Sequence, residues 1–315
     1  MSGRKALFLA SPVPEAAGAM RGWIDGGNEI AEVWYGRHPR PGLMHRDGRL
    51  AILAPRWSTT AVVRRHGIVT RDVLPLSGWA ERLQAVEASG ADVLISTFFS
   101  FRVPQDVLDR FGTQAVNLHP APLPAYRGPH VTQALVLDGQ IVENACVTLH
   151  RMDAGFDSGD VIETRPIAYP EDGNFARYTA SAARAAWYLT AEALPRYLAG
   201  ELEAQPQNEG EARYRRMDLG KIAIGRHLDV QTARVLCETM GSLVPLPLGE
   251  AQDIKITGIV KQLGLPSGHG PDIGRFTVDA DVADGRLRLR RAWPWSSTFL
   301  KFKRLATLIA ERDAT

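Results

Sequence analysis

Two short stretches hold most of the side chains able to do chemistry. The first, Asn117-Leu-His-Pro-Ala-Pro-Leu-Pro-Ala-Tyr-Arg-Gly128, opens with an amide and an imidazole two residues apart. The second, Asp153-Ala-Gly-Phe-Asp-Ser-Gly-Asp160, sets carboxylates among glycines, the composition of a tight loop. Amide, imidazole and carboxylate together suit acyl transfer to an amine. Attack on the acyl carbon builds negative charge on its oxygen, and a preorganised amide such as Asn117 can stabilise it; losing one such donor commonly costs roughly 100- to 1,000-fold in rate. The amine must lose a proton, and an imidazole such as His119 suits that shuttle. A carboxylate such as Asp157 would favour the charged imidazole. Since the amine is itself the nucleophile, no serine or cysteine is required. An Asn-x-His pair alone is a weak signal, because such pairs also end ordinary strands.

The elements around these stretches would place them well. Ala6–Ser11, Ile30–Tyr35, Ile68–Leu74, Asp92–Phe98, Ala115–His119, Ala145–Arg151 and Val161–Ala168 read as strands. Glu15–Gly26, Gly78–Ser89, Gln105–Phe111 and His130–Leu137 read as intervening helices. That alternation implies parallel βαβ units, with ligands at the carboxyl ends of the strands. Asn117 and His119 would project from one face at such an end. Pro120, Pro122 and Pro124 would stiffen the loop that follows. The long stretch Phe175–Leu202 reads as helix, kinked or divided at Pro195, and Glu203–Glu211 as a polar linker. Beyond it, helix Val230–Met240 and strands Ile254–Val260, Arg275–Ala280 and Arg286–Ala292 suggest a smaller β-rich unit, with a barrel of OB type as one form it could take. The expected fold is α/β: a Rossmann-like domain with a mostly parallel sheet over residues 1–205, followed by a β-rich domain over 206–315.

The two stretches resemble the hallmark motifs of the folate-dependent formyltransferases, whose members act on methionyl-tRNA, glycinamide ribonucleotide or amino sugars. The family pattern is similar to N-x-H-x-S-L-L-P-x-x-R-G, followed at a nearly fixed distance by D-x-G-x-D-x-G. Here these fall at Asn117–Gly128 and Asp153–Gly159. The resemblance covers about residues 1–200 in element order. It implies formyl transfer from 10-formyltetrahydrofolate to a primary amine, with Asn117, His119 and Asp157 in the catalytic positions. It further implies a folate pocket from Ser100–Pro104, with Phe101, Arg102 and Val103, and from Ala154 to Asp157, including Phe156. Tyr126, Arg127 and His130 would border the acceptor, although Arg127 could equally brace its loop and His130 simply start a helix.

The sequence departs from the family pattern in places. Ala121-Pro122 stands where the family has Ser-Leu, and Ser11-Pro12 where tRNA-acting relatives carry a Gly-Thr turn. The second unit has no clear N-P-W-P segment; Leu243-Val-Pro-Leu-Pro is a faint echo, and Trp293-Pro-Trp295 lies elsewhere. These departures favour a nucleotide-linked amino sugar or another phosphate-bearing small molecule as acceptor. Methionyl-tRNA is the close alternative, and hydrolysis of the formyl donor a rival from another class.

Charge and composition narrow the remaining classes. A formal net charge of +2 says little of partners, but Arg37 to His66 is locally basic, readable as a phosphate-attracting segment or as a solvated arginine-rich loop. Arg286, Arg288 and Arg290 would share one strand face, either touching RNA or guarding an edge. His150 reads as a core or edge histidine. Cys146 and Cys237, the only cysteines, lie far apart, which argues against a disulfide framework and fits a reducing cytoplasm. The histidines lack metal-ligand spacing, so no metal is expected. The apolar run Ala6–Ala10 is too short for a membrane span. Expected partners are a folate donor and an amine acceptor, either a nucleotide amino sugar or aminoacyl-tRNA; a homodimer is left open.

Overall fold

A computed structural model of the chain describes residues 3–36, 42–73, 80–99, 101–170, 173–215, 219–240, 244–248, 253–292 and 304–311. Strands β1 (Lys5–Ala10), β2 (Glu29–Gly36), β3 (Val69–Val73), β4 (Val93–Thr97), β5 (Ala115–His119), β6 (Cys146–Arg151) and β7 (Val161–Pro166) form one sheet. Its order is β3-β2-β1-β4-β5-β6-β7. The first five strands are mutually parallel, whereas β6 runs antiparallel to β5 and β7 antiparallel to β6. That reversal decides the site, because it lays β6 directly beside β5 in opposed register.

The central strands are apolar on both faces, as strands covered by helices must be. Ala6, Phe8, Ala10, Val116 and Leu118 belong to one apolar cluster, which includes helices α1 (Pro14–Asp25) and, later in the chain, Phe175–Tyr188. Leu7, Leu9, Leu94 and Ala115 face the other way. There they join Val107, Leu108 and Phe111 of the helix Gln105–Phe111. Asn117 and His119 continue the face of Ala115 by strand alternation. On the first face the helix pair packs closely. A Cβ at Gly18 or Gly22 would stand 2.1 Å from the Ala183 carbonyl or 2.2 Å from that of Trp187, so no larger residue fits.

The segment 42–66 is not the expected arginine-rich loop. It holds α2 (Gly42–Leu53) and α3 (Thr59–His66), joined by a short 3-10 turn at Pro55–Trp57. Ser58 caps α3 by accepting from the Ala61 N–H at 3.1 Å. Buried Asp47 accepts from the backbone N–H of Thr59 and Thr60 and from both of their hydroxyls. Side-chain satisfaction of the first turn is what holds this basic stretch helical. Arg37 and Arg40 lie outside the described residues.

The expected break at Pro195 takes a specific form. After Phe175–Tyr188 the helix widens to a π-turn at Leu189–Ala193 and resumes as Leu194–Leu198, which absorbs the N–H that proline lacks. The later strands Val244–Pro247, Asp253–Gly264, Asp272–Ile273, Thr277–Asp281 and Arg286–Arg291 make a second, antiparallel sheet of five. The helix Val230–Met240 packs between this sheet and the first unit, and the main apolar cluster runs through it without interruption.

The arginine row of the second sheet is neither free nor an exposed guard. Arg286 bridges Asp281 and Asp272 at 2.8 Å each, and Arg288 holds Asp279 through two contacts of 2.7 Å. Arg288 and Asp279, like Arg286 and Asp281, are direct cross-strand partners. The row is thus an internal charge ladder.

Candidate functional site

Asn117 and His119 end β5, and opposed register places His150 opposite Asn117 and Thr148 opposite His119. These four side chains share one face. Asn117 Nδ2 lies 3.1 Å from His150 Nε2. The His150 Nδ1 lies 2.7 Å from the Arg151 carbonyl, which can only accept. In the neutral ring the proton therefore sits on Nδ1, and Nε2 accepts from the Asn117 amide. The Thr148 hydroxyl donates to the Ala121 carbonyl at 2.8 Å and ties down the proline-rich loop.

Asp157 completes the group. Its Oδ1 is 3.3 Å from Asn117 Nδ2, 3.5 Å from His119 Nδ1 and 3.6 Å from His150 Nε2. Its Oδ2 accepts the Gly128 N–H at 2.9 Å. The residue holds φ +55, a left-handed conformation that aspartate tolerates better than most residues. Burial alone would raise the Asp157 carboxyl. In acid, with the rings cationic, a hydrogen bond from His150, the charges of His119 and His150 and the Gly128 N–H outweigh it and hold the pKa down at about 2.

His119 is 4% exposed. Its Nε2 lies 2.6 Å from the Tyr126 carbonyl, so Nε2 carries the proton and Nδ1 keeps the lone pair that faces Asp157. Burial pushes the His119 pKa below its ordinary value; the Asp157 charge opposes this, His150 adds to it, and the Tyr126 carbonyl opposes it again. The ring is thus neutral near pH 7, with one available lone pair beside a fixed anion. An arrangement of this kind can accept a proton and stabilise the resulting cation.

The other expected residues fall into distinct places. Arg102 donates to the Ala154 carbonyl and sits 5.7 Å from the centre of the exposed Phe156 ring. Phe101 is half-buried, edge-on to Phe99 at 5.6 Å. Val103 points away, buried with Val107 and Leu108, so only its backbone could face a ligand. Ser100 lies outside the described residues. Tyr126 is buried, its hydroxyl on Asp138 at 3.0 Å. Arg127 is a brace: it binds Gln207 Oε1 at 2.8 and 3.0 Å and Glu209 at 2.6 and 3.0 Å. His130 is exposed with φ +61 immediately before the helix Val131–Leu137.

His150, expected as a core or edge histidine, is buried on β6 and also contacts the Asn117 amide. The usable signal was two alternating polar pairs, Asn117/His119 and Thr148/His150, on strands that could be neighbours. A cleft of about 450 Å³ lies elsewhere, lined by residues including Thr113, Gln114, Arg151 and Tyr197, and holds none of the clustered side chains. Among the described residues no group of three or more His, Cys, Asp or Glu could hold a metal ion, and no helix is long and apolar enough to cross a membrane.

Comparison with known proteins matches residues 77–184 to the formyl transferase family model. A methionyl-tRNA formyltransferase from Chromobacterium violaceum is 32% identical over 168 residues, covering 53% of this chain and 52% of that protein. One from Chloroflexus aggregans is 31% identical over 211 residues, covering 67% and 65%. The chain thus spans about half to two thirds of these relatives. In fold, HypX from Aquifex aeolicus superposes with a TM-score of 0.60 at 17% identity, over 91% of this chain and 44% of that one. WlaRD, a sugar 3N-formyl transferase, superposes at 0.58 and 13% identity, over 92% and 98%. Family model and sequence relatives support a folate-dependent formyltransferase family, and the fold is that of solved formyltransferase structures.

Proposed function

We propose that the chain transfers a formyl group from 10-formyltetrahydrofolate to a primary amine on a phosphate-bearing small molecule, of which a nucleotide-linked amino sugar is the leading class. The observation that carries this reading is the convergence of Asn117 and His119, from the end of β5, on Oδ1 of Asp157 in the later loop, at 3.3 and 3.5 Å. The residues that the resemblance assigns to the folate pocket, aromatic Phe101 and Phe156 and the backbone of Ala154 to Asp157, suit a planar folate head. The donor, when bound, supplies a formyl carbon already activated on N10.

Asn117 Nδ2 has its longer bond, 3.3 Å, to Asp157, and this is the one to redirect to the formyl oxygen as charge gathers there. His119 Nδ1 takes the proton that the attacking amine must lose, and the adjacent Asp157 stabilises the imidazolium. A bond forms between amine and formyl carbon, the bond from that carbon to N10 breaks, and the proton held by His119 satisfies N10. Formamide and tetrahydrofolate balance the reaction.

The acceptor preference rests on charge. A tRNA backbone needs a run of available cations, whereas Arg286 and Arg288 are committed to aspartates. The identity to methionyl-tRNA formyltransferases favours tRNA as the second reading. The test is to incubate the protein with formyl donor, charged initiator tRNA and a panel of nucleotide amino sugars, and weigh the products. A formylated sugar supports the reading, formyl-methionyl-tRNA replaces it with the second, and formate released without regard to amine points to hydrolysis.

A further inference from the structure

Residues 203–211 are polar and follow the last helix of the first unit, yet they do not hang free. Gln205 exchanges backbone hydrogen bonds of 2.8 and 2.7 Å with Val161, beside the aspartate loop. Further on, the Arg127 N–H donates to the Arg213 carbonyl at 2.9 Å, and the Arg215 N–H returns to the Arg127 carbonyl at 2.7 Å. The segment therefore straps across both loops that supply the site.

At its centre the side chain of Gln207 turns inward while its neighbours Pro206 and Asn208 are exposed. The Nε2 group donates to the carbonyls of Asp157 and Gly159, at 2.9 and 2.6 Å. The Oε1 atom accepts twice from Arg127, at 3.0 and 2.8 Å. Both amide protons and both lone pairs are used, the full capacity of the group. Through them the Asp157 loop is fixed to the loop of Arg127 and Gly128, whose next N–H bonds Asp157 Oδ2. Moreover, Asp157 holds a positive φ, and such a conformation persists where its surroundings over-determine it. Gln207 grips the carbonyl of that same residue.

We propose that Gln207 is a positioning residue: it holds the Asp157 carboxylate at the lone pair of His119, and the interdomain segment is thereby part of the reaction centre's frame. This rests on the formyl-transfer reading. The test compares full-length wild type with Gln207→Met, which keeps the length and loses all four bonds, and Gln207→Glu, which keeps the acceptor for Arg127 and loses the donors. Both are expected to lower kcat roughly 10- to 100-fold, the scale of a small misplacement at a reacting group, with KM for donor and acceptor within about threefold.

A second readout needs no turnover. In Gln207→Met, loosening Asp157 from Nδ1 removes the charge that raises His119, so the His119 ring, followed by NMR in histidine-labelled protein, should titrate at lower pH than in wild type. The acid limb of kcat should move the same way. Wild-type kcat and an unmoved His119 titration in Gln207→Met overturn the proposal. If that variant does not fold, wild-type kcat in Gln207→Glu overturns it. Absence of formyl transfer by the wild type would instead remove the activity, and the NMR titration would still decide whether Gln207 positions Asp157.

Discussion

Asn117 and His150 stand directly opposite each other across two antiparallel strands, and the Asn117 amide nitrogen lies 3.1 Å from His150 Nε2. The Arg151 carbonyl fixes the tautomer of His150, so the ring can only accept from Asn117 in its neutral form. The amide proposed to meet the formyl oxygen is thus aimed by a residue that need not touch substrate. His150→Ala should leave the half-buried Asn117 amide without this partner and a gap where the buried ring stood, costing about 1–3 kcal/mol of stability. It should lower kcat roughly 10- to 100-fold by misaiming one donor. Denaturant melts and steady-state kinetics check the two effects separately.

How far this site could be read from sequence depends on which pairing is asked about. Strand boundaries at Ala115–His119 and helix boundaries at Gln105–Phe111 and Val230–Met240 were readable because apolar runs there meet clear breakers. Asn117, His119 and Asp157 were found because their spacing is a motif. His150 was passed over because its partner is reached only when β6 runs antiparallel to β5, and alternation along one strand does not reveal the direction of the next. The helices of 42–66 were passed over for a similar reason. The first turn of α3 is satisfied by Asp47 of α2, a contact that local propensity does not contain. The row Arg286, Arg288, Arg290 was read correctly as one face, but Arg286 and Arg288 are each paired with an aspartate of the adjacent strand.

The state of His119 sets the expected pH profile. Its pKa is lowered, chiefly by burial, and the neutral ring is the proton acceptor. The rate should therefore rise with pH and level off below the ordinary imidazole value of about 6.5. Asp157, held at about 2, stays ionised throughout and contributes no limb in that range. His119→Ala should cost roughly 100- to 10,000-fold in kcat and, by leaving the Tyr126 carbonyl without its donor, about 1–3 kcal/mol of stability. A limb that survives in the variant would belong to another group.

Asp157→Asn tests the same carboxylate through stability. Its side chain is 17% exposed and its folded pKa lies below the unfolded value. The stabilisation is thus present above the unfolded pKa and is lost as pH falls through about 2. Asparagine accepts the left-handed backbone at this position, so conformational strain should not obscure the comparison. Wild type should exceed Asp157→Asn in urea midpoint at neutral pH, with the gap closing in strong acid, and the variant should lose nearly all transfer.

Gly128 joins the two loops under a steric constraint that can be tested alone. Its φ is +104, and a Cβ would stand 2.8 Å from the Arg215 carbonyl and 2.8 Å from the Tyr214 ring. The carbonyl is backbone, held by the short ladder between residues 124–127 and 213–215, so it cannot swing aside cheaply. Gly128→Ala must therefore either push the strap outward or turn the 128 N–H away from Asp157 Oδ2, which it now meets at 2.9 Å. Either movement loosens the carboxylate from His119. The variant should lose about 1–3 kcal/mol of stability from backbone strain and roughly 10- to 100-fold in kcat from displacement of the carboxylate. A Gly128→Ala protein with wild-type kcat would mean that the strap and the aspartate loop move independently of the reaction.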